Sequence, residues 1–333
     1  MRPVAHQPST LLVAAVLGTI YVVWGSTYLA IAYVVESLPP LLAAGVRFVI
    51  AGGLIIGFLV ARDRWRRRGG AAGKTPLERP SLPQWRTAFI VGTMLLLGGN
   101  GLVSVAEQSV PSGIAAVIIA TVPIWMSVFD ALITRRMPSL LAIGGLVVGL
   151  AGVAILLLPT GGVSTLDPVG IGLLVVASVT WAAGSLYARH GPLPRSALLG
   201  TGMEQVAGGA SLLVVGIIVG EAGGTDLGAV QLSSLLGLLY LIAVGSLAGF
   251  TAYVWLLHNV PVTTVATYAY VNPVVAVALG FVVRDEQLSL RTLLAAALII
   301  GAVVAMVTGR PREVEEAGPS PEAGPVERED GIT

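Results

Sequence analysis

Ten long apolar runs, separated by short polar stretches, dominate the pattern of hydrophobic and polar positions along the chain. They cover roughly residues 11–33, 39–60, 87–105, 113–133, 140–159, 168–188, 197–219, 233–257, 263–283 and 288–308. A helix needs about 20 apolar residues to cross a bilayer, whereas barrel strands are shorter and alternate apolar with polar residues. The pattern therefore predicts an all-α integral membrane protein with ten transmembrane helices.

The composition points to the same class of protein. Hydrophobic residues make up 55% of the 333 residues and charged residues only 11%, whereas a soluble domain carries about 25% charged residues. The chain has no cysteine, which excludes disulfides and thiolate nucleophiles. Its three histidines are scattered and no catalytic motif occurs. We therefore expect no metal, no cofactor and no enzymatic activity.

The basic residues indicate how the chain is inserted. If the spans alternate, sixteen of the 19 Lys and Arg residues lie on one side, Arg284 and Arg291 lie on the other, and Arg47 lies within the membrane. The largest group is in the predicted loop 61–86. Because Lys and Arg accumulate on the cytoplasmic side, we expect a plasma-membrane protein whose N-terminus (1–10) and C-terminal tail (309–333) are both cytoplasmic. The tail is rich in Pro, Gly and Glu, which predicts disorder.

An internal repeat relates the two halves of the chain. A shift of 150 residues aligns Gly99 with Gly249 and Pro123 with Pro273, and a shift of 157 aligns Trp24 with Trp181. We infer two five-helix repeats, residues 11–159 and 160–308. Because five is odd, the second repeat enters the membrane inverted, as in secondary transporters whose binding site lies near the midplane between the repeats.

Four stretches resemble the EamA family of the drug/metabolite transporter superfamily: WGSTYLAI (24–31), LPPLLAAGVRFVIAGG (38–53), AEQSVPSGIAAVIIATVPIW (106–125) and ATYAYVNPVVAVALGFVVRDEQLS (266–289). The resemblance implies ten helices in two inverted halves around a central cavity. It also implies export of small metabolites, amino acids or toxic compounds. The family's usual Gly-Glu after span nine is Asp285-Glu286 here, and Arg135-Arg136 end span four without a Glu, which argues against a role for an acidic pair there.

Aromatic and polar residues inside the apolar runs suggest a solute site. Trp24 and Trp181 lie well inside spans one and six, and we interpret them as two walls of a shared cavity; an aromatic belt at the headgroups is the alternative. The predicted substrate-binding residues are Trp24, Ser26, Tyr28, Arg47, Asn100, Trp125, Trp181, Glu204, Tyr253, Tyr268 and Asn272. Pro123 and Pro273 remove a helical hydrogen bond in spans four and nine, which favours either hinges or static kinks.

Arg47 and Glu204 are charged residues within spans and are repeat-mates under the shift of 157. A charge at the bilayer centre costs about 2.5–3.5 kcal/mol on insertion scales. Two hypotheses stay open: a structural ion pair, or a pair that binds the carboxylate and amine of a zwitterionic solute. Span one contains no acid, so proton coupling through a first-helix glutamate is excluded, whereas Glu107 near the end of span three is either solvated or coupled to protons.

The sequence as a whole predicts a secondary transporter that exports small organic metabolites, amino acids or toxic compounds by alternating access. A non-transporting membrane scaffold and a facilitative importer are the alternatives. The expected partners are a small-molecule substrate and the lipid bilayer, with proton coupling left open and no nucleic acid. The protein is expected to be a monomer or a homodimer.

Overall fold

The computed structural model of the protein describes residues 9–68, 76–106, 108–110, 115, 118–135, 137–157, 167–224, 227–284 and 290–308. Glu107, the pair Asp285-Glu286 and the tail 309–333 lie outside these residues, and Tyr28 is described by its backbone alone. All regular secondary structure in the described part of the chain is helical, which confirms the predicted all-α class there.

The helices follow the predicted spans closely. They are α1 (Thr10–Val35), α2 (Pro40–Arg68), α3 (Leu82–Ala106), α4 (Val122–Thr134), α5 (Leu140–Leu157), α6 (Pro168–His190), α7 (Ala197–Ile218), α8 (Leu232–Asn259), α9 (Tyr268–Arg284) and α10 (Leu290–Thr308). By length and composition α1, α2, α3, α6, α7 and α8 can each cross a membrane, and α4, α5 and α10 contain shorter apolar stretches. The chain is therefore an integral membrane protein.

Helix α2 is longer than predicted. The expected loop 61–86 is wrong at both ends, because α2 continues to Arg68 and α3 begins at Leu82. An ion pair one turn apart supports the extension, since Arg67 Nε lies 2.8 Å from Asp63 Oδ2. At about 1.5 Å per residue the 29 residues of α2 exceed the hydrocarbon thickness of about 30 Å, so its Arg-rich last turns project beyond the apolar layer.

Helices α3 and α8 each contain a long π-helical segment, which the hydrophobic pattern did not predict. The segments are Thr93–Gly101, of 9 residues, and Leu241–Phe250, of 10 residues. π-helices are rare, are usually a single turn and occur frequently at functional sites. The two segments occupy matching positions in the two halves of the chain. A functional site is therefore expected near them.

The predicted spans four and nine are both interrupted. A turn at Ala120 and Thr121 precedes α4, so Pro123 lies in the first turn of that helix, where its missing N–H costs no hydrogen bond. The prediction that Pro123 kinks a continuous helix is therefore wrong, because the break comes before it. Pro273 does lie inside α9, and Thr267 separates that helix from the short helix Val262–Ala266.

Two glutamates in connecting segments form hydrogen bonds between the two halves of the chain. Glu221, after α7, accepts hydrogen bonds from the backbone N–H groups of Leu41 and Leu42 at the start of α2, at 3.2 and 2.9 Å. Glu78, before α3, accepts from Gln84 Nε2 at 2.7 Å and from the Arg195 N–H at 2.8 Å. The bond from Gln84 and then that from Arg195 lower the pKa of Glu78, so its carboxylate stays charged at neutral pH.

Helices α2 and α7 cross at glycines and form the most extensive helix–helix contact among the described residues. A Cβ on Gly45 would lie 3.0 Å from the Gly209 carbonyl oxygen, and a Cβ on Gly52 would lie 2.6 Å from that of Gly202. The pairing shows that the two helices run antiparallel. Helices α5 and α10 cross in the same way, with Gly145 against Ala302 and Gly152 against Ala295.

We predict that Gly52→Ala destabilises the protein because its new methyl group would meet the α7 backbone. Overpacking of this kind costs about 1–3 kcal/mol. Gly53→Ala is the matched control, since a Cβ at Gly53 meets nothing within 4 Å and gains up to about 1 kcal/mol of helix propensity. When thermal unfolding is measured in the same detergent, only Gly52→Ala should have a lower midpoint temperature than wild type. Equal midpoints for the two variants would contradict the crossing.

Candidate solute cavity

A cavity of about 90 Å³ lies between the two π-helical segments. Helices α1, α2, α3, α4, α6, α8 and α9 all contribute residues to its wall. Drug-sized ligands occupy clefts of about 300–1,000 Å³, so this conformation is nearly closed. Of the predicted binding residues, the wall contains Trp24, Arg47, Asn100, Trp181, Tyr268 and Asn272.

The indoles of Trp24 and Trp181 meet on one side of the cavity. Their centroids are 5.6 Å apart and their planes are at 82°, an edge-to-face contact. Each indole lies over a glycine of a π-helical segment: a Cβ on Gly249 would be 2.6 Å from Trp24 Nε1, and one on Gly99 would be 2.5 Å from Trp181 Cε3. Any side chain at either glycine would therefore displace an indole from the wall.

Tyr253 holds the two indoles from behind. It is fully buried and does not line the cavity. Its hydroxyl accepts a hydrogen bond from Trp181 Nε1 at 3.0 Å and shares another with Ser185 Oγ at 2.5 Å, while its ring lies 4.9 Å from that of Trp24. The structure thus places Tyr253 behind the cavity wall, where its phenol bonds Trp181 and Ser185.

Arg47 brings a cationic group to the cavity wall. Its side chain is 5% exposed, and its Nε donates to Ser246 Oγ at 2.8 Å. Its Cζ lies 4.5 Å from the Phe48 ring centroid. Among the described residues no carboxylate oxygen comes within the 4.0 Å of an ion pair. The guanidinium therefore has no protein counter-charge in the part of the chain that the structure describes.

Asn272 adds a hydrogen-bond acceptor to the same wall. The residue is 2% exposed, and its Oδ1 receives no hydrogen bond from the described residues. A buried amide oxygen without a partner costs free energy, so this atom favours a donor from a bound molecule. The cavity wall thus contains a cationic side chain and a buried amide, beside the aromatic rings.

The hypothetical Arg47–Glu204 ion pair is absent within the described residues. Glu204 is fully buried in α7, neither of its carboxyl oxygens has a hydrogen-bond partner there, and it does not line the cavity. Arg47 turns to Ser246 of α8, whereas the Glu204 backbone lies against Gly92 of α3. The two repeat-mates therefore contact different neighbouring helices, which keeps them from pairing.

Two further predicted residues lie away from the cavity. Ser26 hydrogen-bonds the Val23 carbonyl at 2.7 Å and the Tyr240 hydroxyl at 2.6 Å. Trp125 is half-buried, with its ring 6.3 Å from that of Phe129. Ser104, Phe48 and Phe250 also line the cavity, although the sequence did not predict them. Thr27, which the sequence does suggest as a hydrogen-bonding group beside Trp24, lines it as well.

A second cavity of about 20 Å³ adjoins the first and shares Ile31, Arg47, Asn100 and Ser104 with it. It reaches Val35 and Pro40, where α1 ends and α2 begins. At the opposite end, where α6 and α8 finish, the largest apolar cluster fills the interior, including Leu186, Leu257 and Val265. The two ends of the bundle thus differ in degree. A narrow cavity lined by the buried residues Val34 and Leu241 reaches one end, whereas the larger apolar cluster makes the other the packed end.

A helical membrane protein whose spans surround a largely apolar cavity with a few polar side chains in its wall has the design of a membrane transporter. The chain belongs to the EamA-like transporter family, whose sequence profile matches residues 10–158 and again residues 168–308. This confirms the family expected from the sequence motifs.

Individual relatives agree with the family match. The inner membrane transporter YedA of Escherichia coli K12, described as uncharacterized, is 41% identical over 88% of this chain and 90% of its own length. A "Probable amino-acid metabolite efflux pump" of Salmonella typhimurium is 24% identical over 87% of this chain and 93% of its own. One crystal structure superposes with a TM-score of 0.70 at 21% identity, covering 89% of this chain and 96% of the other, and supports the fold. The protein is a membrane transporter.

We predict that Tyr253→Phe destabilises the aromatic wall. The change leaves the Trp181 N–H without its acceptor in a buried site, which costs about 1–3 kcal/mol. Tyr187→Phe on α6 is the control, because Tyr187 is 41% exposed. Thermal unfolding and tryptophan fluorescence should change for Tyr253→Phe alone. An unchanged midpoint would show that the hydroxyl does not hold the wall.

Proposed function

We propose that the protein is a secondary transporter that exports a small zwitterionic solute of amino-acid type by alternating access. The observation that carries the proposal is the Arg47 guanidinium in the cavity wall, buried and without a carboxylate partner among the described residues. A scaffold would have no use for a buried charge of this cost. A solute anion would supply the missing counter-charge.

The residues that line the cavity offer a binding group for each part of such a solute. A guanidinium binds a carboxylate through paired, charge-assisted hydrogen bonds. The free Oδ1 of Asn272 can accept from an ammonium group. The rings of Trp24, Trp181 and Tyr268 offer faces for an apolar side chain or for the cation. The name of the Salmonella relative, a probable amino-acid metabolite efflux pump, supports this solute class.

For alternating access we propose ten transmembrane helices in two inverted five-helix repeats. The crossing of α2 and α7 supports this, because the shift of 157 residues converts Gly45 into Gly202 and Gly52 into Gly209. The contacts Gly45–Gly209 and Gly52–Gly202 therefore exchange with one another, as contacts across a two-fold axis do. The contacts of Trp24 with Gly249 and of Trp181 with Gly99 exchange in the same manner.

For direction we propose outward transport. With both termini in the cytoplasm, as the positive-inside rule predicts, the end of α1 that the second cavity reaches is extracytoplasmic. The packed end, near Leu257, is then cytoplasmic.

The interruptions before Pro123 and at Thr267 lie beside the cavity residues Val122 and Tyr268, and we assign them the role of hinges.

Transport and binding of amino acids test the solute class. We expect Arg47→Gln to weaken the binding of L-leucine and L-phenylalanine to reconstituted protein by about ten- to a hundredfold, since a hydrogen bond to a charged group contributes about 1.5–3 kcal/mol. The affinity of Arg47→Lys should lie between those of wild type and Arg47→Gln, because lysine keeps the positive charge but lacks the planar guanidinium group. Efflux from proteoliposomes should fall in the same order.

Arg64→Gln is the matched control, because Arg64 is exposed on the same helix. The methyl esters of the two amino acids, which lack the carboxylate, should bind wild type as weakly as the acids bind Arg47→Gln. Wild-type affinity in Arg47→Gln at normal expression would rule out the guanidinium as the anion site.

The inverted architecture predicts opposite sides for equivalent loops. Reporter insertions in the turn 36–39 after α1 should report the outside, and insertions in 191–196 after α6 should report the cytoplasm. Alkaline phosphatase and green fluorescent protein fusions give complementary signals for the two sides. The same side for both loops would rule out the inverted repeat.

A further inference from the structure

Glu204 is a buried acid that the proposed solute cavity does not use. Its side chain has no exposed surface, and both carboxyl oxygens lack a hydrogen-bond partner among the described residues. A charged carboxylate in such a site loses its hydration and gains no compensating partner, which costs far more than burying the neutral acid. The site is therefore built for a carboxyl group that carries its proton while the interior is closed.

The groups around Glu204 leave no counter-charge in contact with it. Helix α2 contributes Arg47, which bonds Ser246 and forms no ion pair with Glu204. The one charged residue of α3, Arg86, is exposed. Helix α8 contributes Tyr253, a neutral phenol close enough for an electrostatic interaction with Glu204.

The other charged or titratable residues on elements packed against α7 are engaged or remote. Asp63, near the end of α2, forms an ion pair with Arg67, and the arginines around it are exposed. Glu221 binds the Leu41 and Leu42 N–H groups at the far end of α7. His258 is exposed near the end of α8, where its Nδ1 lies 2.8 Å from the Val254 carbonyl. None of these groups is available to neutralise a carboxylate at Glu204.

Two short polar connections run from the neighbourhood of Glu204 to the cavity. On one side Tyr253 bonds Ser185 and Trp181, and Trp181 lines the cavity. On the other side Gln205 Nε2 donates to the Ser246 carbonyl at 3.3 Å, and the Ser246 hydroxyl accepts from Arg47. A movement that opens the packed end near Tyr253 would therefore disturb the cavity wall and admit water to Glu204 together.

We propose that Glu204 is the proton-binding site of this transporter and couples proton entry to solute exit. In the closed conformation without solute the carboxyl group is protonated. When the interior opens towards the ends of α6 and α8, the O–H bond breaks, the proton passes to water on that side, and the hydrated carboxylate remains while solute binds. The solute-loaded protein then crosses with the carboxylate unprotonated. When the interior opens towards the α1–α2 end, the solute leaves and water on that side returns a proton. The exchange of one proton for one solute rests on the proposed export function, whereas the proton site itself does not.

Infrared difference spectroscopy tests the site without any solute. Wild type reconstituted in lipid at neutral pH should show the C=O stretch of a protonated carboxyl group, and Glu204→Gln should lack it. Glu36→Gln is the matched control, because Glu36 is exposed and its removal should leave the band unchanged. Arg47→Gln should also keep the band, since it alters the solute site alone. Absence of the band in wild type, or its persistence in Glu204→Gln, would overturn the proposal.

Proteoliposomes with a pH gradient test the coupling, with L-leucine and L-phenylalanine as probes. A gradient of about one pH unit, worth about 1.4 kcal/mol per proton, should concentrate the amino acid about tenfold on the acidic side in wild type. Glu204→Gln should equilibrate it without accumulation and bind it with unchanged affinity, because Glu204 does not line the cavity. Glu204→Asp keeps a carboxyl group and should keep accumulation.

The outcomes separate the two proposals. Accumulation that persists in Glu204→Gln, or wild type that equilibrates the solute without accumulating it, would refute coupling through Glu204. Wild type that shows the carboxyl band but neither binds nor moves either amino acid would refute the proposed solute class and leave the proton site standing.

Discussion

Close backbone contact between helices α2 and α7 is the constraint on which the rest of the structure depends. Helices in lipid gain nothing from burying apolar surface against one another, so their association relies on close packing, for which glycine is suited. The glycines at 45, 52, 202 and 209 bring two backbones into contact. That contact fixes where the neighbouring side chains of α2 and α7 are directed, including Arg47 and Glu204.

The positions of Arg47 and Glu204 follow from this crossing. In the cavity wall Arg47 donates to the Ser246 hydroxyl of α8, whereas Glu204 is enclosed without a hydrogen-bond partner among the described residues. A chain that had to bury an arginine and a glutamate for stability alone would gain by pairing them, because an unpaired buried charge is expensive. Keeping them apart leaves one charged residue in the cavity wall and one acid behind it.

The aromatic wall shows how the same packing logic shapes the cavity. An indole can lie against a π-helical segment only where the segment has no side chain, and Gly99 and Gly249 provide those two places. Tyr253 then fixes the Trp181 indole through its hydroxyl group and packs its ring against Trp24. Since the wall depends on these few contacts, a small separation of the helices would change the shape of the cavity.

The sequence by itself determined the membrane class, the family and most helix boundaries, because hydrophobic length is a local property that each segment carries alone. Helices α1, α5, α6, α7, α8 and α10 begin and end within two residues of the predicted spans. It also identified Trp24, Arg47 and Asn272 as cavity residues, since polar and aromatic groups stand out within an apolar run. The tertiary structure decided which of the remaining candidates line the cavity. Tyr253 and Glu204 carry the same kind of signal, yet they lie behind the wall, because the direction of a side chain depends on helix rotation and on contacts between residues far apart in the chain.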